Sequence, residues 1–309
     1  MFFIRMKVIV ESKSVRGLPS IFKIKKGNDM GYIDLHTHTA KSDGTYTPKE
    51  LVDYGVKKGL KAIAITDHDT IDGVAEAVHA AKNREIEIIA GIECSAEYLG
   101  KEIHIVGLFI NIEDSRFLAE LKNLRQVREN RNNKMIRLLS ENNITVELEK
   151  LKERFPNSIL TRMHFAKYLM EKGYVSDIQA AFDRYLGDKA CCYVKKEQPQ
   201  SKDIMTMIKN NGGVPVLAHP LLYHLSEVKL ETMIRYLTEC GLLGIEVIYS
   251  THTARNESYL YSLAERYGLA VSGGSDFHGT NKRNIDLGSG KGNLRVSEEI
   301  LLPIRRLAE

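Results

Sequence analysis

Cysteine is scarce in this chain of 309 residues: Cys94, Cys191, Cys192 and Cys240 are the only four, and no two of them form a C-x-x-C pair. That pattern excludes a thiolate zinc site and a disulfide-built scaffold, and makes reduced thiols in a cytoplasmic protein the expectation. Cys191 and Cys192 are adjacent, a spacing at which a disulfide is strained. Long apolar runs are missing too, and none reaches the roughly eighteen residues of a membrane span. The opening Met1-Phe2-Phe3-Ile4-Arg5 is interrupted by Lys7, Glu11 and Lys13 too soon for a secretory signal. Strong charge of one sign is also lacking. A net charge of +4 suits an anionic substrate but falls short of a duplex nucleic-acid footprint, and nothing implies a stable protein partner.

The composition, 43% hydrophobic and 27% charged, is that of an ordinary globular protein large enough for one barrel-sized domain with an insertion. Strand-like apolar runs near 32–36, 61–65, 86–92, 103–109, 214–218, 244–248 and 269–273 alternate with helical periods at 48–58, 71–83, 202–210, 227–240 and 253–267. Thr47 and Pro48 form a start signal for the first of these helices. Seven parallel strands predict an α/β fold, a distorted seven-stranded (β/α)7 TIM-like barrel, closed or nearly so. The alternation fails between 114 and 200, where helical periods at 117–140, 147–154, 162–172 and 178–186 read as an inserted subdomain. It leaves the end of the fourth strand, expected to be the catalytic face, and can form a lid. The barrel is then 30–113 and 201–309. Residues 1–29 read as an N-terminal extension ahead of a natural start at Met30, since Lys26-Gly27 suits a purine-rich ribosome-binding stretch. The other reading is an added edge strand pairing 7–10 with 20–25.

Six of the ten histidines stand beside acids at the ends of these runs. His36 and His38 are two apart in Asp34-Leu35-His36-Thr37-His38, so their rings share one strand face and can reach one ion. Asp43 follows in a turn that Gly44 lets bend back. His68 follows Ile65-Thr66-Asp67, Glu93 ends the third run, and His104 lies in Glu102-Ile103-His104-Ile105. His219 ends the fifth run, and Asp276 and His278 repeat the two-apart spacing after the seventh. A lone buried histidine is usually a hydrogen-bonded core residue. Burying six imidazoles with three carboxylates is another matter, costing several kcal/mol per charged group unless divalent cations turn them into ligands. His79, His164, His224 and His252 lack such partners, and His79 reads as a surface residue on a helix. In the insertion, Arg125, Arg128 and Arg131 are three apart and share much of one helix face, with Lys122 and Lys134 nearby; such runs are often only a solvated face. Thr161-Arg162-Met163-His164 opens a helix whose N-terminus favours phosphate.

The set Asp34-Leu35-His36-Thr37-His38, Ser42-Asp43-Gly44, Ile65-Thr66-Asp67-His68-Asp69, Gly91-Ile92-Glu93, His104-Ile105-Val106-Gly107, Ala218-His219-Pro220 and Gly274-Ser275-Asp276-Phe277-His278 resembles the PHP (polymerase and histidinol phosphatase) family of metal-dependent phosphoesterases, over 30–279. The insertion motifs Thr161 to Ala166, Ala181 to Gly187 and Ala190 to Val194 resemble the subgroup acting on 3′,5′-nucleotide bisphosphates and short 5′-phosphorylated RNA; Met163 stands where that subgroup commonly has proline. The resemblance implies three divalent ions: one on His36, His38, Glu93 and Asp276, a second on Glu93, His104 and His219, a third on Asp43, His68 and His278, with Glu93 bridging. Nine nitrogen and oxygen donors suit manganese first, then iron, zinc or magnesium. It further implies hydrolysis of a 3′ phosphate, or 5′-to-3′ exonucleolytic cleavage of short RNA, by a metal-bridging hydroxide, with the 5′ phosphate held by Arg162, then His164, and more weakly by Lys195 and Lys196.

Three other readings stay open at this stage. A histidinol phosphatase or other small-molecule phosphatase would not need the basic insertion. An amidohydrolase also opens with H-x-H but usually carries a barrel lysine or a lone terminal Asp. A binding module decayed from an enzyme would be expected to have lost some of the nine ligand positions.

Overall fold

The computed structural model describes residues 31–156, 158–194 and 198–308. The expectations for 1–29, and for Lys195 and Lys196, therefore fall outside the described residues. Seven strands form one sheet in chain order, β1 Tyr32–Asp34, β2 Leu60–Ile65, β3 Glu87–Tyr98, β4 Lys101–Leu108, β5 Val214–Leu217, β6 Gly244–Tyr249 and β7 Ala270–Gly274. β5 and β6 are buried at every position. Strands buried along their whole length are covered on both faces.

Helices connect the strands: α1 Pro48–Lys57 and α2 Val74–Ala81 early in the chain, α3 Ser115–Glu141 to α6 Ile178–Ala181 in the insertion, then α7 Ser201–Asn210, α8 Glu227–Glu239, α9 Ala254–Tyr267 and α10 Leu301–Arg305. Within the insertion, α4 is Leu148–Arg154 and α5 is Arg162–Glu171, and α6 runs into a π turn at Phe182–Leu186. The Thr47 start signal is a full capping box: Thr47 accepts from the Glu50 N–H while Glu50 accepts from the Thr47 N–H. α9 repeats the device with Thr253 and Asn256, and ends on Gly268 at φ +64°, the left-handed stop that glycine adopts freely.

The sheet is not all-parallel. β4 pairs antiparallel with both β3 and β5, while β1–β2–β3 and β5–β6–β7 are parallel. The cause is local. β3 does not end at Glu93 but continues to Tyr98, and the chain reverses through Leu99 and Gly100, both at positive φ (46° and 80°). A two-residue turn joins only antiparallel strands, since a parallel neighbour needs a long crossover. The reversal also corrects where the insertion departs. Leu108 pairs with Gly91 and with Val214, at the starts of β3 and β5, so β4 ends away from the strand ends that carry the histidines. α3, 27 residues and roughly 40 Å long, carries the chain back. Its first turns bury Phe117 and Leu121 in the sheet's hydrophobic core; further on, Met135 and Leu139 belong to a second core with Phe165, Leu169 and Leu186.

Backbone hydrogen bonds also join the first strand region to the last: Leu35 N–H to Gly273 O, Asp276 N–H to His36 O and His38 N–H to Phe277 O. No helix among the described residues is long and apolar enough to cross a membrane.

Candidate metal centre

β1 stops at Asp34, and His36 and His38 lie just beyond it. Asp34 accepts from the backbone N–H groups of His36, Ser275 and Gly288, which pins the chain after β1 to the chain after β7. Asp67 plays the matching part for the Asp43 turn, accepting from the Thr39 N–H and from the hydroxyls of Thr39 and Ser42. A Cβ on Gly44 would sit 2.3 Å from the His38 carbonyl oxygen, so the turn folds this tightly only with glycine. Two acids of the D-x-H and T-D-H motifs thus shape the backbone, leaving the histidines and Asp43 to face inward.

All nine candidate ligands meet in one buried cluster. Glu93, from the middle of β3, is at its centre: its carboxylate oxygens lie 2.8 Å from His104 Nδ1, 3.0 Å from His219 Nε2, 3.1 Å from His68 Nδ1, 3.2 Å from His38 Nε2 and 3.4 Å from His36 Nε2. Asp276 approaches His38 at 3.4 Å and His278 at 3.3 Å. Asp43 approaches His278 at 3.4 Å and His38 and His68 at 3.8 Å. Four overlapping sets have donor atoms close enough to share an ion: His38, Asp43, His68 and His278; His36, Glu93 and His219; His36, His38 and Asp276; His68, Glu93 and His104. The implied third set, Asp43, His68 and His278, comes together with His38 added. Of the implied first set, His36, His38 and Asp276 come together without Glu93, and the implied second set is divided, His104 and His219 meeting Glu93 in separate groups.

The reversal of β4 explains how His104 gets there. It sits opposite Ser95, in the first half of an antiparallel strand, and so faces the same end as groups that follow the parallel strands.

Electrostatics shows what the cluster lacks. Burial alone would keep the three carboxyls protonated, but the imidazoles around Glu93 and Asp43, and Lys282 with His278 and His36 around Asp276, hold all three well below the usual carboxylate range. Burial would likewise keep the imidazoles neutral, yet the carboxylates lift His38 to about 9 and His104 to about 10, while burial wins at His68 and takes it down to about 3. The cluster holds anionic carboxylates and draws positive charge. Both ring nitrogens of His38, with His36 Nε2, His68 Nδ1, His219 Nδ1 and Asp43 Oδ1, are buried without a hydrogen bond. Buried lone pairs without donors are costly unless a cation takes them, so the residues present fit divalent metal.

Other residues orient these groups. Glu246, buried in β6, accepts from His36 Nδ1 at 3.1 Å and from the His219 backbone N–H at 2.7 Å. One carboxylate thus fixes the tautomer of one candidate ligand and the backbone of another, which stands at φ +29°. Tyr249 and Lys282 donate to the outer oxygen of Asp276 at 2.7 and 2.6 Å. Sequence reasoning passed over all three, although a glutamate inside the apolar run Gly244-Ile245-Glu246-Val247-Ile248 is a visible signal.

A cavity of about 190 Å³ opens from Asp43, His68 and His104 towards the insertion, where Arg128, Arg131, Arg162, Met163, Phe182 and Tyr193 line it. The three arginines differ. Arg128 is gripped by Asp69, the residue after His68, with its Nε at 3.0 Å. Arg162 pairs with Asp188 at 3.0 Å and stacks over Tyr193. Arg131 is only 6% exposed, its Nε has no partner, and burial together with Arg128 and Arg162 lowers it to about 9. It was visible in the sequence only as part of a charged face. His164 turns away: its Nδ1 accepts the Thr161 N–H in a cap of its own helix, burial lowers it to about 4, and it does not line the cavity. Ser158 and Ile159 donate to the carbonyls of Ala40 and Lys41, tying the insertion to the Asp43 turn.

Comparison with known proteins agrees with this arrangement. Residues 34–213 match the PHP domain. The chain is 34% identical to the 3′,5′-nucleoside bisphosphate phosphatase of Chromobacterium violaceum, over 84% of this chain and 91% of that protein. It is 35% identical to the 5′-3′ exoribonuclease of Haemophilus influenzae, over 79% and 89%. Among solved structures, a protein from Chromobacterium violaceum described as an amidohydrolase, with bound sulfate and no metal, superposes with a TM-score of 0.76 at 33% identity, over 84% of this chain and 90% of that one. A Bifidobacterium adolescentis protein provisionally assigned as a metal-dependent phosphoesterase gives 0.78 at 28% identity, over 90% and 96%. The sequence motifs, the nine-residue cluster and these relatives converge: the chain belongs to the PHP family and is a metal-dependent phosphoesterase.

Proposed function

We propose that the enzyme removes the 3′ phosphate of 3′,5′-nucleotide bisphosphates and cleaves short 5′-phosphorylated RNA from its 5′ end, reading the 5′ phosphate with the insertion. The observation that carries this is the cavity itself: candidate metal ligands at one end, and at the other a buried arginine whose Nε has no hydrogen-bond partner. A single phosphate at the metals would leave the buried Nε of Arg131 without an acceptor, beside two other arginines that repel its charge. A second phosphate on the same substrate resolves it.

His36, His38, Asp43, His68, Glu93, His104, His219, Asp276 and His278 would hold three divalent ions, manganese by preference, since imidazoles with carboxylates and no thiolate suit it. When bound, the metals supply Lewis acidity to the phosphoryl oxygens and lower the pKa of the attacking water. Water adds to phosphorus and the P–O bond to the 3′ oxygen breaks, that oxygen leaving as an alcohol. A bisphosphate yields the 5′-nucleotide and inorganic phosphate, and RNA yields the first 5′-nucleotide and a shortened RNA that keeps the phosphoryl group at its new 5′ end. The protein's own part is positioning. Arg131 and Arg162 hold the far phosphate, Asp69 fixes Arg128 beside them, and Met163, Phe182 and Tyr193 flank the space for the nucleoside. His164 supports this wall by capping α5. We read the β1-to-β7 hydrogen bonds as closure of the strands into a distorted barrel formed by 30–113 and 201–309. On that reading 114–200 is a substrate-binding wall docked on the metal loops.

The test, with manganese, is phosphate release from 3′-phosphoadenosine 5′-phosphate, adenosine 3′-phosphate and histidinol phosphate, and release of 5′-mononucleotide from a short 5′-phosphorylated RNA. A contact between arginine and phosphate is worth about 1.5–3 kcal/mol, so the bisphosphate should exceed the 3′-monophosphate in kcat/KM by roughly tenfold to more than a hundredfold. Arg162→Ala should narrow that gap. Equal rates on the two, or a preference for histidinol phosphate, would refute the reading in favour of a general or small-molecule phosphatase.

A further inference from the structure

The cavity does not end at Arg131. A second one, about 280 Å³, runs on along the outer side of α3 and shares Arg131 and Val194 with the first. Its other lining includes the exposed side chains of Asn130, Asn133, Lys134 and Arg137, and no acidic or aromatic residue among those described. Arg131 therefore stands in the wall between the two spaces, nine-tenths buried, with an Nε that no protein group satisfies.

If the 5′ phosphate met a closed end, this wall would read its size. Instead the space continues, and continues with cations and amides. Lys134 follows Arg131 by three residues and Arg137 follows by six, so two more long cationic side chains line the space beyond Arg131. A nucleobase would be a poor occupant: bases stack best on aromatic faces, and the described lining has none, its apolar groups being the branched side chains of Val127 and Val194. Consecutive anionic groups suit it, because each donor there is an ammonium, a guanidinium or a carboxamide.

We propose that the enzyme accepts 3′-phosphonucleotides whose 5′ end carries more than one phosphate, as a 5′-diphosphate or its ester, with the outer phosphate in the groove of Asn130, Asn133, Lys134 and Arg137. This rests on the reading above, in which the first 5′ phosphate meets Arg131. The bond broken is unchanged, the 3′ ester P–O bond, and the diphosphate leaves intact on the nucleoside product.

The full-length, manganese-loaded enzyme is assayed on 3′-phosphoadenosine 5′-phosphate and on 3′-phosphoadenosine 5′-diphosphate, with products identified by mass. The wild type should turn over the diphosphate with kcat/KM within about threefold of the bisphosphate, because the added contacts offset the added charge and bulk. A Lys134→Ala/Arg137→Ala variant should lose about tenfold or more on the diphosphate and about twofold or less on the bisphosphate, which also reports that it is folded. Arg137→Ala alone should move the same ratio in the same direction. A wild type that disfavours the diphosphate by a hundredfold, or variants that slow both substrates alike, would overturn the groove while leaving the bisphosphate reading intact. If the bisphosphate itself is not hydrolysed, the parent reading fails and this one with it.

Discussion

His38 and Arg131 are both buried, both polar and both short of partners, yet they lack opposite things. His38, at the end of β1, is fully buried with neither ring nitrogen hydrogen-bonded, in a nest of carboxylates that pulls in positive charge. Arg131, on the insertion's long helix, is a cation on which the repulsion of Arg128 and Arg162 outweighs the attraction of Glu102 and Asp69. The sheet's core builds a hole for cations and the insertion builds one for anions. A phosphoesterase with a second phosphate to recognise needs both, and the cavity joins them.

That contrast can be broken from either side. The largest effect should come from Glu93→Gln, which keeps the shape but removes the charge that approaches five imidazoles. Phosphate release should drop by about a thousandfold or more, with bound metal, measured by mass spectrometry of the elements, falling together with it. Full metal content with full activity would deny Glu93 its central place.

Arg131→Ala attacks the other half. Activity on the bisphosphate should fall roughly tenfold to a hundredfold while metal content stays unchanged. Thermal stability should hold or rise, since a buried cation with an unsatisfied Nε and two arginines beside it has been removed. A loss of metal would show that the two halves are not separable.

Glu246→Gln sharpens the cation side more gently. The amide can still accept from one ligand but pairs poorly with both, so metal affinity by calorimetry should weaken by roughly tenfold to a hundredfold. Unaltered affinity would make Glu246 a packing residue only.

The smallest effect lies in the insertion's scaffold. Burial keeps His164 neutral down to a pKa of about 4, whereas in the unfolded chain it takes a proton near 6.5. Between those values the unfolded state binds the proton and the folded state does not. Stability is therefore fully present above about pH 6.5 and declines as pH falls towards 4, by about 2 kcal/mol from pH 7 to pH 5. His164→Asn, which can still accept the Thr161 N–H, should flatten that part of the urea-denaturation profile relative to wild type. Parallel profiles would remove His164 from the account.

The candidate metal side was legible in the sequence because its signal is local: acids and imidazoles placed at the ends of apolar runs, two apart or one motif apart, can be read without knowing the fold. Strand positions were legible for the same reason. The direction of β4 was not, because it hangs on Leu99-Gly100, a reversal without the Asn-Gly or Asp-Gly that usually advertises one. That one turn decides which end of the sheet His104 faces and from which end the insertion starts. The anion side was legible only as composition. Arg125, Arg128 and Arg131 look alike in the sequence, but Arg125 pairs with Asp72, Arg128 with Asp69, and the Nε of Arg131 is left without a hydrogen-bond partner; only the fold sorts them. Glu246 was within reach, as a charge inside an otherwise apolar strand.

α3 is a girder pinned at three heights: Phe117 and Leu121 in one core, Arg128 on Asp69, Met135 and Leu139 in the other core. Ten residues separate Leu121 from Arg131, about 15 Å of rise, so a tilt of roughly three degrees at the foot swings the arginine by close to an ångström. Misplacement on that scale can cost an enzyme about a hundredfold. Substitutions around Phe117, on the first turns of the helix, would thus alter substrate choice as well as stability.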